Sequence, residues 1–72
     1  MINTTLLCKN IVTARKKLGL TQNQLARMLG VSAQAVSKWE RGISCPDISL
    51  LDEIANALQI SLSALLGIPE NV

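Results

Sequence analysis

The chain has 72 residues, with seven Lys or Arg against five Asp or Glu, two cysteines, one tryptophan and no His, Tyr or Phe. A chain near this length buries only about 60% of the surface it exposes when unfolded, which limits it to one small core of Leu, Ile, Val and Ala around Trp39; lacking histidine, it lacks the commonest general base and metal ligand. Residues 1–44 hold all seven basic side chains against Glu40 alone, a net of +6, and Asp47, Asp52, Glu53 and Glu70 make the remainder −4, a split that suggests one face for polyanions but also suits a solvated basic surface.

The opening MINTTLLCKN has neither the basic segment nor the apolar run of a signal peptide, and no stretch approaches the roughly 20 apolar residues of a membrane helix. Cys8 and Cys45 lack CxxC or metal-ligand spacing and are expected as free thiols in a reducing cytoplasm, so the protein is expected to be soluble and intracellular. Leu7, Ile11, Ala14 and Leu18 recur at steps of four, three and four, which predicts an amphipathic helix from about Thr5 to Leu18, ended by Gly19. Thr21-x-x-Gln24 is a capping-box pattern and starts a second helix, Gln22 to Leu29. Gly30 supplies a left-handed turn, and Ser32 is the expected N-cap of a third helix, Ala33 to Arg41, that stops at Gly42.

ISCPDIS reads as a loop. Asp47 is expected to cap a fourth helix, Ile48 to Leu58, buried along Leu51, Ile54, Ala55 and Leu58. Ser61 is expected to cap a short fifth helix ending at Gly67, and residues 68–72 to form a loose tail. No segment alternates with a strand's two-residue period, and no repeat is visible. The expected fold is all-α: one domain over residues 1–72, with five short helices around a core in residues 5–67.

The third helix carries the informative pattern. At about 100° per residue, Val36 and Trp39 fall on one side while Gln34, Ser37, Lys38 and Arg41 fall on the other, so an apolar edge anchors the helix and a polar, basic edge is left for a partner. The glutamine amide can donate and accept at once, which suits adenine N6 and N7 in the DNA major groove; Lys38 can reach a guanine edge or a phosphate, and Ser37 several bases. Simple solvation explains such a face equally well when it is taken alone. The preceding short helix and glycine turn favour DNA, because together they are the parts of a helix-turn-helix spanning about residues 22–41.

LTQNQLARMLGVSAQAVSKWERG followed by PDISLLDEIANAL resembles the Cro/CI-type helix-turn-helix repressors, also called the xenobiotic-response-element or lambda-repressor-like family, over roughly residues 7 to 66. Ala26, Gly30, the apolar Leu25, Leu29, Val31, Val36 and Trp39, and the closing WERG carry the resemblance. It implies double-stranded DNA as partner, read through the major groove by a homodimeric regulator, most simply a repressor, on a palindromic operator. Gln34 looks like the family's base-reading glutamine, and Ala33, Ser37 and Lys38 occupy its other base-facing positions. Ala33 departs from the polar residue of phage members, although its methyl suits a thymine methyl.

By the same resemblance Gln22, Ser32, Arg41 and Ser44 fall at phosphate-contacting positions, and Arg15 and Glu40 match an internal ion pair between the first and third helices. Each has a plainer structural reading: Gln22 as a helix-start residue, Ser32 as a cap, Arg41 as a charge complementing the helix dipole. Leu62, Leu65, Leu66 and Ile68 are candidates for the dimer interface, or else close the core from below. Arg27 is given no role.

A competing reading is an antitoxin or adaptor that binds a partner protein with the same fold. No cofactor, metal or small-molecule ligand is implied. An enzyme is disfavoured, because neither a phosphate loop nor a convincing carboxylate pair is present. The resemblance implies a bacterial, phage or mobile-element origin, and a cytoplasmic location is expected from the free cysteines and the opening segment.

Overall fold

The computed structural model describes residues 3–68. Among them are five α-helices, one 3-10 turn and no strand: α1 (Thr4–Lys17), α2 (Gln22–Leu29), α3 (Ala33–Glu40), the 3-10 turn Ile48–Leu50, α4 (Leu51–Ala57) and α5 (Leu62–Leu66). The all-α architecture expected from the periodicities is present.

Local chemistry sets the helix ends. Asn3 Oδ1 accepts from the Leu6 N–H at 3.0 Å and starts α1 one residue ahead of the expected Thr5, so that Leu18 becomes its C-cap. The capping box at α2 is complete: Thr21 Oγ1 accepts from the Gln24 N–H at 3.0 Å and Gln24 Oε1 from the Thr21 N–H at 2.8 Å. Ser32 and Ser61 accept from the N–H groups of Ala35 and Ala64, satisfying donors that have no carbonyl within their own helices.

The fourth element differs from expectation. Asp47 makes no side-chain cap; its Oδ2 accepts instead from the Ser49 hydroxyl at 2.6 Å. The Leu50 N–H reaches back to the Asp47 carbonyl at 2.9 Å, an i to i−3 bond that winds Ile48–Leu50 as a 3-10 turn before α4 begins. The expected stripe survives, because Leu51, Ile54, Ala55 and Leu58 are all buried. The segment beyond Ile68, including most of the expected tail, lies outside the described residues.

Leu7, Ile11 and Ala14 of α1, Leu25, Ala26 and Leu29 of α2, Val36 and Trp39 of α3, the α4 stripe and Leu65 form one core. α1 packs on α3 and α5, α2 on α3 and α4, and α4 on α5. The short C-terminal helix is held by more than apolar contact. Asn10 of α1 donates through Nδ2 to the carbonyls of Ala64 (3.2 Å) and Leu65 (3.0 Å), filling acceptors that a helix end leaves open. No helix among the described residues is long and apolar enough to cross a membrane.

Candidate nucleic-acid interface

α2 and α3 are joined by three residues. Gly30 adopts φ +71°, and the Val31 N–H returns to the Ala26 carbonyl at 3.0 Å, so the chain reverses tightly and α3 starts at once from the Ser32 cap. The roll of α3 about its axis is then set by burial: Val36 is 0% and Trp39 5% exposed. Gln34, Lys38 and Arg41 are consequently exposed, and Ala33 and Ser37 half-buried at the margin of the same edge.

The end of α3 is closed by Gly42 at φ +74°, with the Gly42 N–H on the Trp39 carbonyl and the Ile43 N–H on the Lys38 carbonyl at 2.9 Å. This closure carries exposed Ser44 immediately past the helix, and its N–H also donates to Lys38 at 3.4 Å. Arg41 folds back, with Nε 3.4 Å from the Ser37 carbonyl. Ser32 uses its oxygen as a cap acceptor, which leaves its hydroxyl proton to donate elsewhere.

Behind this face lies a buried polar joint. Arg15 Nε donates to Glu40 Oε2 at 2.6 Å and a second guanidinium nitrogen to Glu40 Oε1 at 2.9 Å, a bidentate pair between α1 and α3. The remaining terminal nitrogen of Arg15 donates to the Leu20 carbonyl at 2.8 Å, and Gln22 Nε2 donates to Glu40 Oε1 at 3.0 Å. Burial disfavours the Glu40 carboxylate, but hydrogen bonds from Arg15 and Gln22 and the charges of Arg15 and Lys16 outweigh it and hold its pKa below the ordinary range. The hydrogen bonds it donates to Glu40 push Arg15 above its ordinary value. The only acidic side chain in the basic part of the chain is therefore neutralised inside the molecule, and among the described residues Lys38 and Arg41 make no ion pair on the α3 edge.

Gln22, like Ser32 and Arg41, admits both a phosphate-contacting and a structural role. It is half-buried, with its amide engaged by Glu40, while its backbone N–H stands in the first turn of α2, where no helical carbonyl is available. Of the candidate interface leucines, Leu65 is fully buried and belongs to the core. Leu66 packs half-buried beside it, while Leu62 (39%) and Ile68 (49%) are exposed. Composition carried no signal for the Gln22–Glu40 and Asn10–Leu65 bonds, since both join residues far apart in the chain.

Two short helices joined by a left-handed glycine, the second anchored by an indole and bearing a basic edge, constitute a helix-turn-helix. A profile of the helix-turn-helix family matches residues 11–65, and the chain belongs to the Cro/CI-type helix-turn-helix family. It is 42% identical over 65 residues to repressor protein C2 of Salmonella phage P22, covering 90% of this chain and 30% of that protein. It is 36% identical over 59 residues to the antitoxin PezA of Streptococcus pneumoniae, covering 82% of this chain and 37% of that one. The chain thus spans about a third of the length of these two relatives. The P22 c2 repressor in complex with synthetic operator 9T superposes with a TM-score of 0.79 at 41% identity, over 85% of this chain and 92% of that one.

Proposed function

We propose that the protein is a small transcriptional regulator that binds double-stranded DNA sequence-specifically, acting as a repressor in the form of a homodimer on a palindromic operator. The observation that carries this reading is the exposed edge of α3, with Gln34, Lys38 and Arg41 held outward by the burial of Val36 and Trp39. The operator complex of the P22 relative supports it.

In this reading α3 enters the major groove. Gln34 accepts and donates to an adenine edge, Lys38 and Ser37 reach neighbouring bases, and the Ala33 methyl meets a thymine methyl. Ser32 and the head of α2 at Gln22 contact phosphates, helped by the positive end of the helix each begins, and Arg41 and Ser44 contact them at the far end of α3. Affinity comes chiefly from counterions displaced by the cations, and sequence choice from the few base contacts. One such unit spans few base pairs, so a two-fold dimer on half-sites one helical turn apart supplies selectivity. Leu62, Leu66 and Ile68 are the proposed dimer surface. The activity is binding in the cytoplasm, without catalysis, metal or cofactor, and its control is by concentration, a partner or proteolysis.

Likeness to PezA favours a second reading, in which the chain also neutralises a partner protein as an antitoxin. Co-expression with the product of the adjacent gene, scored by growth, tests it.

The direct test is selection of duplexes from a random pool, followed by titration of Gln34→Ala and Lys38→Ala across a salt series. Gln34→Ala is expected to relax preference at one or two positions, by about 1–3 kcal/mol at the preferred base. Equal loss on every sequence would remove Gln34 from base reading, and no affinity for any duplex at low ionic strength would overturn the function.

A further inference from the structure

An open groove of about 640 Å³ runs between the start of α1 and the loop that leaves α3. Thr5, Cys8 and Val12 line it from α1, and Arg41, Gly42 and Cys45 from the other side, so the chain's two cysteines meet in one groove although 37 positions separate them. Both are free thiols, Cys8 buried and Cys45 exposed. Burial pushes the Cys8 thiol above its ordinary range, and the neighbouring Cys45 thiol pushes it further.

The loop bearing Cys45 is pinned on both sides. Gly42 and Ile43 are bonded back to Trp39 and Lys38, and Pro46 is buried. A proline also holds the residue before it extended. Cys45 thus sits on a short tether beside Ser44, opposite a helix that is fixed in the core by Leu7 and Ile11.

We propose that Cys8 and Cys45 are a reversible dithiol switch, closed to an intramolecular disulfide by low-molecular-weight disulfides of the glutathione type. The exposed Cys45 thiolate attacks the small disulfide, forming a mixed disulfide and expelling one thiolate. The Cys8 thiolate then attacks Cys45 Sγ and expels the second. Two protein thiols are oxidised, one small disulfide is reduced to two thiols, and the two protons released on the protein side are taken up by those thiols. Disulfides in reducing compartments are characteristically transient and redox-sensing, which suits a pair of this kind. A sulfur–sulfur bond of about 2.05 Å is far shorter than a contact between thiols, so closure draws the tethered loop toward α1. Ser44 and Arg41 move with it, and DNA binding weakens; this last step rests on the function proposed above.

The test uses the full chain, reduced or treated with glutathione disulfide, with intact mass, size, thermal midpoint and duplex affinity measured. The expected product is a species lighter by two hydrogens and unchanged in size. Its melting point should be higher by several degrees, because the cross-link restricts the unfolded chain. Its affinity for a selected duplex should be about tenfold lower, or about 1.4 kcal/mol, and restored by dithiothreitol. Cys45→Ser should abolish every response. Cys8→Ala, a small change at the buried position, should stop at the glutathione adduct on Cys45. A stable adduct with Cys8 still free in the unaltered chain, or only intermolecular cross-links, would overturn the switch. A closed disulfide with unchanged affinity would overturn its control of DNA. If the reduced protein binds no duplex, the functional reading fails, while mass and melting point still decide the disulfide.

Discussion

Arg15 is buried together with the carboxylate of Glu40, and its hydrogen bonds explain how a small core tolerates the charge. Two bonds go to Glu40 and one to a backbone carbonyl, so the guanidinium recovers in the interior much of what it loses in hydration. Breaking such a pair from one side leaves the other charge stranded. Arg15→Ala is expected to cost about 3–5 kcal/mol, comparable with the entire stability of a domain of this size, and urea unfolding should find the variant largely unfolded. Glu40 adds a pH dependence. Its pKa in the fold is depressed below the ordinary 4.5, so its contribution is complete above that value and is lost as pH falls through the folded pKa. Glu40→Gln should therefore be less stable than the parent at pH 7 and lose less on acidification below about 4.5, as followed by thermal midpoints across pH.

Individual elements end well or badly for reasons that single residues make visible. α4 is followed by Gln59 at φ +60°, and the Ile60 N–H returns to Ala55 at 3.0 Å, the same closing geometry that Gly30 provides for α2. A side chain in the left-handed region costs about 1–2 kcal/mol, part of which glycine gives back as chain entropy, so Gln59→Gly should stabilise by about 0.5–1 kcal/mol. Gly67 is the opposite case. Its φ is +72°, and a Cβ there would run into the side chain of Leu6 on α1. Gly67→Ala should lose about 1–2 kcal/mol from backbone strain alone, with the Leu6 contact adding to it. Paired thermal melts should move in opposite directions, by roughly 4–8 °C per kcal/mol.

For the molecule as a whole, the question is how the C-terminal leucines divide between core and surface. Deleting α5 cannot isolate dimerisation, because Leu65 is fully buried and Asn10 is bonded to the end of that helix. Charges placed at the exposed Leu62 and Ile68 separate the two roles. The Leu62→Glu, Ile68→Glu double variant is expected to keep its helical content and binding to a single half-site. If the proposed dimer forms through this surface, the variant should sediment as a monomer under conditions that dimerise the parent and lose the avidity of the full palindrome, roughly 10²-fold. The charge division acts at the same scale. Residues up to 44 carry +6 and Glu40 is withdrawn into the interior, so affinity should fall steeply with salt, with a log–log slope near −0.9 for each phosphate neutralised.

Most helix positions, the caps at Thr21, Ser32 and Ser61 and most of each buried stripe were legible from spacing alone, because they depend on neighbours three or four residues apart; Leu18, expected to extend the first stripe, instead lies past the end of α1 and is 37% exposed. The capping box at Thr21, the Gly30 turn and the Val36–Trp39 anchor are of this kind, and with them came the outward edge of α3. The 3-10 entry to α4 escaped that logic, since whether Asp47 caps a helix or binds Ser49 is a choice between two local bonds of similar strength. What the tertiary structure alone decided is everything that joins distant positions: Gln22 drawn to Glu40, Leu65 taken into the core, Asn10 sealing α5, and Cys8 beside Cys45. Hydrophobic periodicity specifies which face of a helix turns inward, but a hydrogen bond or thiol contact requires a particular pair of atoms to meet within a few ångströms, and only the packed arrangement of all five helices determines that.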